Sequence, residues 1–190
     1  MSILPIHTYG QPSLRKKAKP VRAVDDDLVK FVQDMFETMH NAHGIGLAAN
    51  QVGTLRRVIV IDVSDMGEEY KDEKPLVLLN PQVIQSEGEW TMEEGCLSIP
   101  DIRDDVTRAE TIRVQFKDLD FKDQEIRADG LLARVILHEI DHLDGVLFID
   151  HLGAVKRKLL TGRLNKIRKG EVEIEYPFVA EGIETPASRE

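Results

Sequence analysis

Hydrophobic and polar positions along this chain switch repeatedly between helical and strand periods. From Asp25 onward, Leu28, Phe31, Val32, Met35, Phe36 and Met39 recur at helical spacing, which predicts an amphipathic helix with a Met and Phe core stripe. Asp25, Asp26 and Asp27 stand at its start, where the macrodipole favours negative charge. The β-branched run Arg57–Val63 predicts a strand. Leu76–Leu79 and Gln82–Ile84 predict another, broken at Asn80-Pro81 because proline cannot donate to a ladder. Residues 111–117 and 124–128 predict a hairpin with Asp118–Asp123 as its turn. The run Leu131–Leu143 is apolar on nearly every side and predicts a buried helix, with Asp129 as N-cap and Gly145 as C-cap. Val146–Ile149 reads as a short strand or extended link. Val155, Leu159, Leu160, Leu164 and Ile167 stripe a helix over 153–169, and 171–176 alternates as a strand. Residues 1–24 are expected to be irregular, 64–74 a charged loop, and 180–190 a flexible tail. Three helices and several short strands in mixed order predict an α+β fold: antiparallel sheets around the helix 131–143, with one N-terminal and one C-terminal helix.

Length and composition set bounds on this picture. A chain of 190 residues, 42% hydrophobic and 31% charged, fits a single globular domain over 1–190. Its net charge of -9 argues against a protein that binds DNA with its whole surface. One cysteine excludes an internal disulfide. No apolar run reaches membrane-spanning length, and Met1–Pro5 lacks a signal-peptide layout, so the expected location is the cytoplasm. Charge is unevenly spread, however. Lys156, Arg157, Lys158, Arg163, Lys166, Arg168 and Lys169 fall in a stretch, His151 to Gly170, that has no Asp or Glu, and removing those seven charges leaves -16 on the rest. Such asymmetry marks either a solvated helix face or a contact with an anionic partner such as RNA.

Candidate chemistry concentrates on the buried helix. His138 and His142 are four residues apart and share a helix face, so one metal ion can bind both. Glu139 follows the first histidine, where this motif places a general base beside a water. A catalytic metal usually has a third protein ligand. Phe148 stands where one extension of the motif has its third histidine, and no Glu occurs between 151 and 170. Cys96 is then the best soft ligand, with Asp150 and His151 as weaker alternatives; a lone Cys is otherwise a small buried hydrophobe. His40 and His43 read as surface or helix-end groups. The stretch Gly44–Gly53 is rich in small residues, as if something approaches its backbone closely. Read alone, it is a helix-to-strand connection, and Gln51 is its one residue suited to chemistry.

Three motifs, in order, carry a resemblance. Gly44-Ile45-Gly46-Leu47-Ala48-Ala49-Asn50-Gln51, Glu94-Gly95-Cys96-Leu97-Ser98 and His138-Glu139-Ile140-Asp141-His142 are similar to those of the peptide deformylase family, and the similarity extends over roughly residues 3–170. The resemblance implies a hydrolase that removes formate from N-formylmethionine at the start of nascent polypeptides. It implies metal ligation by Cys96, His138 and His142, with Fe²⁺ in the cell and Zn²⁺ or Ni²⁺ after handling. It implies Glu139 as general base and the Gln51 amide and the Leu97 backbone N–H as oxyanion donors. The peptide would run beside Ile45-Gly46 and Glu94-Gly95, its methionine in a pocket of Ile45, Met92, Leu131, Arg134 (by its stem) and Val135, with Arg103 and Glu94 at the entrance. The basic helix 153–169 corresponds to one by which relatives can dock on the ribosome. A zinc endopeptidase and a non-catalytic metal site or binding protein are the competing readings.

Overall fold

The computed structural model describes residues 2–184. Strand β1 (Ile6–His7) leads through a 3-10 turn at Pro12–Arg15 to helix α1 (Asp26–Asn41). The Asp25 carboxylate caps α1 by accepting from the Leu28 N–H at 2.8 Å. Then follow β2 (Gly46–Ala48), β3 (Val58–Ile61), β4 (Leu76–Glu87), β5 (Trp90–Cys96), β6 (Ile99–Arg108), β7 (Thr111–Lys117) and β8 (Asp123–Asp129). Helix α2 (Gly130–Leu143), helix α3 (Ala154–Arg168), β9 (Phe178–Ala180) and β10 (Ile183–Glu184) complete the order. The architecture is mixed α+β, with antiparallel pairing throughout a five-stranded sheet of order β2-β3-β4-β7-β8 and in the hairpin β5-β6. The third sheet pairs β1 with β9 in parallel and β9 with β10 antiparallel.

Strand β3 shows how the layers form. All four of its residues are buried, as a continuous β-branched run requires when both faces are covered. Val58 and Val60 pack with Leu28, Val32, Met35 and Met39 of α1. Ile59 and Ile61, on the opposite face, pack with Ala133, Val135, Ile136, Ile140 and Leu143 of α2. The sheet therefore lies between the two helices. On its other side α2 is hydrogen-bonded to the β5-β6 hairpin through Arg134 and His138. A third cluster joins Ile99, Ile102 and Val106 of β6 to Phe148 and to Leu164 and Ile167 of α3.

Several expectations are corrected. Strand β4 is not broken at Asn80-Pro81: a bulge absorbs the proline, with Asn80 at φ 54° and its amide bonded to both the N–H and C=O of Val21 (2.7 and 2.8 Å). Strand β2 and the 3-10 turn Ala49–Val52 replace a plain connection at 44–53. Phe148–His151 is a 3-10 turn, not a strand. Residues 171–176 keep their in-out alternation but belong to no strand. The N-terminal 24 residues include β1 and the Pro12–Arg15 turn. Residues 180–184 lie in or beside β9 and β10 and are no loose tail; 185–190 lie outside the described residues. Asp129 precedes α2 but makes no side-chain cap bond. Gly145, at φ 77°, follows the terminal Asp144: its N–H reaches the His142 carbonyl (3.0 Å), and Val146 N–H reaches that of Asp141 (2.8 Å), a Schellman end. The stripe of α3 is only half covered, since Val155 and Leu159 are 76% and 77% exposed.

Candidate metal centre and cleft

Strand β5 ends at Cys96 and helix α2 carries His138 and His142, and the crossing of these two elements creates the site. The three side chains offer ligand atoms all within 4.8 Å of one another, the one such group among the described residues. Cys96 Sγ lies 3.1 Å from His142 Nε2. The two imidazoles meet edge to face with centroids 4.9 Å apart. His138 Nδ1 donates to Glu94 Oε2 at 3.0 Å, which turns its Nε2 toward Cys96 and the shared point. His142 Nδ1 is buried with no partner among the described residues. A soft thiolate and two imidazoles converging at this separation fit a divalent transition ion. Asp150 and His151 do not join them: Asp150 pairs with Arg15 at 2.5 Å, and His151 with Asp141 at 2.7 Å.

Electrostatics around the triad are set by burial and pairing. Burial disfavours charge on His138, but hydrogen bonds to Cys96 and Glu94 outweigh it and raise its pKa. Burial pushes His142 well down. Burial also pushes Glu139 up to about 7, against the opposing fields of His138 and Arg108. Glu94 behaves oppositely: burial opposes its ionisation, yet His138 and Arg108 hold it at about 2. Its carboxylate accepts from Arg108 Nε (2.6 Å) and Nη2 (3.0 Å) and from Arg134 Nη1 (2.6 Å). Arg108 also donates to Asp141 at 2.7 Å. Sequence reasoning placed Glu94 at the pocket entrance. Glu94 does line the cleft, with its carboxylate 5% exposed, because two guanidiniums and an imidazole draw it inward. Arg108 was missed, and in its charged run nothing marks it as buried.

Gln51 and Glu139 are held by the small-residue stretch. Gln51 Oε1 accepts from Ala48 N–H at 2.8 Å, so its amide nitrogen turns toward Ser98 Oγ (3.3 Å) and Cys96 Sγ (3.7 Å). Asn50 donates its side-chain N–H to the carbonyl of His142. What approaches Gly46 closely is Glu139 itself. Glu139 is 4% exposed, and its Oε2 has no partner among the described residues. The main chain of Leu97 lies between Cys96 and Ser98, and its carbonyl accepts from Tyr176 Oη at 2.7 Å.

A cleft of about 430 Å³ opens on this group. It is bordered by Gln51, Cys96, Leu97, His138 and Glu139, and by the expected neighbours Ile45, Gly46, Met92, Glu94, Gly95, Arg103, Leu131, Arg134 and Val135. His142 lies behind, 1% exposed. Arg134 offers only its stem, since its guanidinium is tied to Glu94 and to the carbonyls of Val106 and Trp90. His43, Met66, Ile174 and Tyr176 also border the cleft. Their sequence surroundings gave no sign of this beyond the alternation at 172, 174 and 176. His40, by contrast, is an exposed helix-end group paired with Asp62 at 3.0 Å, as expected.

Comparison with known proteins converges on one family. The sequence model of the polypeptide deformylase family matches residues 3–158. A peptide deformylase of Salinibacter ruber is 45% identical over 98% of this chain and 100% of its own length, and one of Alkalilimnicola ehrlichii is 48% identical over 92% and 96%. Among solved structures, a peptide deformylase from Legionella pneumophila superposes with a TM-score of 0.80 at 40% identity, covering 90% of this chain and 98% of that one. One from Synechococcus elongatus, solved in complex with actinonin, gives 0.77 at 41% identity, covering 90% and 89%. A family match over most of the sequence and a shared fold at these identities leave one conclusion: the chain belongs to the polypeptide deformylase family.

Proposed function

We propose that this chain removes the formyl group from the N-terminal formylmethionine of newly made polypeptides, releasing formate, as one catalytic domain. The observation that carries the reading is the convergence of Cys96, His138 and His142 at the floor of a cleft that Glu139 also borders. In this reading α2 is the central, metal-carrying helix of the fold. When bound there, a divalent ion supplies Lewis acidity, polarising a carbonyl and bringing the pKa of a water to about 7.

The chain's own residues do the rest. Glu139 takes the proton of the attacking water on its carboxylate and returns it to the departing amine. Its position against Gly46, and a pKa held up by burial, suit a group that must both accept and donate near neutral pH. The Gln51 amide, turned toward Cys96 by its bond to Ala48, and the Leu97 backbone N–H donate to the oxygen of the formyl carbonyl as it gains charge. Glu94 fixes the tautomer and orientation of His138. Arg108 and Arg134 keep Glu94 ionised. The peptide lies extended between Ile45-Gly46 and Glu94-Gly95. Its methionine side chain packs among Ile45, Leu131, Val135, Met92 and the Arg134 stem, with Arg103 beside the peptide backbone.

Fe²⁺ is our assignment for the ion in the cell, with Zn²⁺ or Ni²⁺ in protein handled in air, since one thiolate and two imidazoles accept all three. The work is done in the cytoplasm, on nascent chains. Helix α3 supports docking on an anionic partner, the ribosome. Lys156 pairs with Asp104 and Arg168 with Glu181, but Arg157, Lys158, Lys166 and Lys169 have no acidic partner among the described residues. Among the described residues no helix is long and apolar enough to cross a membrane. Reversing those four charges must weaken co-sedimentation with ribosomes at low salt; unchanged binding refutes the docking.

Formate release tests the reaction. Protein purified without oxygen and loaded with Fe²⁺ is expected to release formate from a formyl-Met tripeptide and to leave the unformylated peptide intact. Cleavage of the unformylated control would make the protein a peptidase.

A further inference from the structure

The family model ends at residue 158, yet two residues beyond it border the cleft. After α3 the chain turns at Gly170 and runs through residues 171–176 without regular structure before entering β9. Along it Val172, Ile174 and Tyr176 are half-buried, while Glu171, Glu173 and Glu175 are exposed. Val172 packs on the cluster that holds Ile99 and Ile102. Ile174 and Tyr176 border the cleft, together with Pro100–Arg103. Tyr176 Oη donates to the Leu97 carbonyl at 2.7 Å. Both ends of the segment are fixed. Ile6 N–H bonds to the Pro177 carbonyl at 2.9 Å, and Glu181 N–H to that of Arg168 at 2.9 Å. Tyr9 N–H reaches the Ser98 carbonyl at 2.8 Å, so the same sheet also ties down the residue after Leu97.

We infer that residues 171–176 form a wall of the substrate cleft, in which Ile174 selects among the residues following the formylmethionine and Tyr176 positions Leu97. The inference rests on the deformylase reading of the site. Ile174 offers apolar surface to the cleft and is not part of the apolar cluster that holds Ile45, Leu131 and Val135, the group proposed to take the methionine. An extended peptide long enough to reach it gains apolar contact there, and a shorter one does not. Tyr176 acts through Leu97 without touching substrate. Its hydrogen bond fixes the peptide plane that follows Leu97 and so limits the swing of the N–H that precedes it. Partial burial pushes the Tyr176 phenol up, so it keeps its proton and remains a donor.

Length-dependent kinetics test the wall. Formate release is measured on formylmethionine amide and on a formyl-Met tripeptide with apolar second and third residues. Ile174→Ala is expected to lower kcat/KM on the tripeptide by about tenfold relative to the amide, through KM, as loss of apolar contact in a pocket does. Ile174→Val should restore most of the difference. Tyr176→Phe keeps the ring and is expected to lower kcat about fivefold on both substrates with KM held, less than outright removal of an oxyanion donor costs. Glu89→Gln, exposed in the turn between β4 and β5 and outside the cleft, is the control and should leave both substrates unchanged. An unchanged ratio in Ile174→Ala overturns the wall, and a Tyr176→Phe effect confined to KM overturns the positioning role. Failure of the parent protein to release formate from either substrate overturns the deformylase reading instead. The wall is then judged by calorimetry with the unformylated Met tripeptide: Ile174→Ala must weaken its binding, and an unchanged Kd overturns the wall.

Discussion

Gly46 leaves no room for a side chain beside Glu139: a Cβ there would lie 2.6 Å from Glu139 Oε1 and 2.8 Å from Val135 Cγ1. The carboxylate and the glycine occupy one space between β2 and α2. Gly46→Ala is therefore expected to push Glu139 aside and cut kcat/KM by about 10²-fold, the scale of an ångström misplacement. Metal content should stay at the parent value. Steady-state kinetics with metal analysis checks both, and near-parent turnover would show that the contact does not position Glu139.

Glu139→Gln should abolish most turnover yet stabilise the metal-free protein at alkaline pH. The folded pKa of about 7 lies above the ordinary value of 4.5. The folded state thus binds the proton more tightly, and stability falls as pH rises from 4.5 through 7, by about 3 kcal/mol at 1.36 kcal/mol per unit. Glutamine removes that loss. Thermal unfolding in chelator at pH 5 and pH 8 should show a gain for the variant that is larger at pH 8. An equal gain at both would reject the linkage.

Glu94→Gln should act in the opposite sense. Its folded pKa of about 2 lies below the ordinary value of 4.5, so its stabilisation is present above 4.5 and is lost as pH falls toward 2. Removing the carboxylate leaves two buried guanidiniums short of an anion, which costs about 3–5 kcal/mol at neutral pH. Urea unfolding of parent and variant should differ by less than half as much at pH 3 as at pH 7. Weaker metal retention is expected as well, since His138 loses its acceptor.

Cys96→Ala should leave the protein folded and unable to hold a stoichiometric ion, because the two remaining imidazoles provide too few ligands for tight binding. Metal analysis after gel filtration is the check. One ion per chain in the variant would mean that another side chain serves as third ligand.

The sequence carried much of this site because its chemistry is local. His138, Glu139 and His142 lie within five residues of one helix, so spacing alone brings them together; Cys96 follows as the remaining soft ligand, and the roles of Gln51 and Leu97 come only from the resemblance of the three motifs. The helices and β3 were legible for the same reason: their burial follows a simple period. What escaped depends on contacts distant in sequence. Asn80-Pro81 looked like a strand break because the Val21 latch lies 59 residues away. The hairpin partner β6 was missed: its apolar residues Ile99, Ile102 and Val106 break strict alternation, with Asp101 at φ 61°. Arg108 looked like a surface charge, since only the fold reveals that Glu94 and Asp141 meet on it. Val155 and Leu159 kept helical spacing without a surface to cover. Nothing in sequence separates a stripe that packs from one that does not.

His142 belongs to the last turn of α2, the part of any helix that ordinarily frays first. Among the contacts that hold that turn closed are the Asn50 amide on the His142 carbonyl, the Ala18 N–H on the Leu143 carbonyl, and the N–H groups of Gly145 and Val146 on the carbonyls of His142 and Asp141. Gly145 cannot be replaced freely, because a Cβ would also meet the Arg15 carbonyl at 2.8 Å. Loosening this helix end would let one ligand come and go while the other two stayed in place. In the proposed site the grip on an ion would thus be a matter of lifetime as well as of ligand identity, set in part by residues that never touch it.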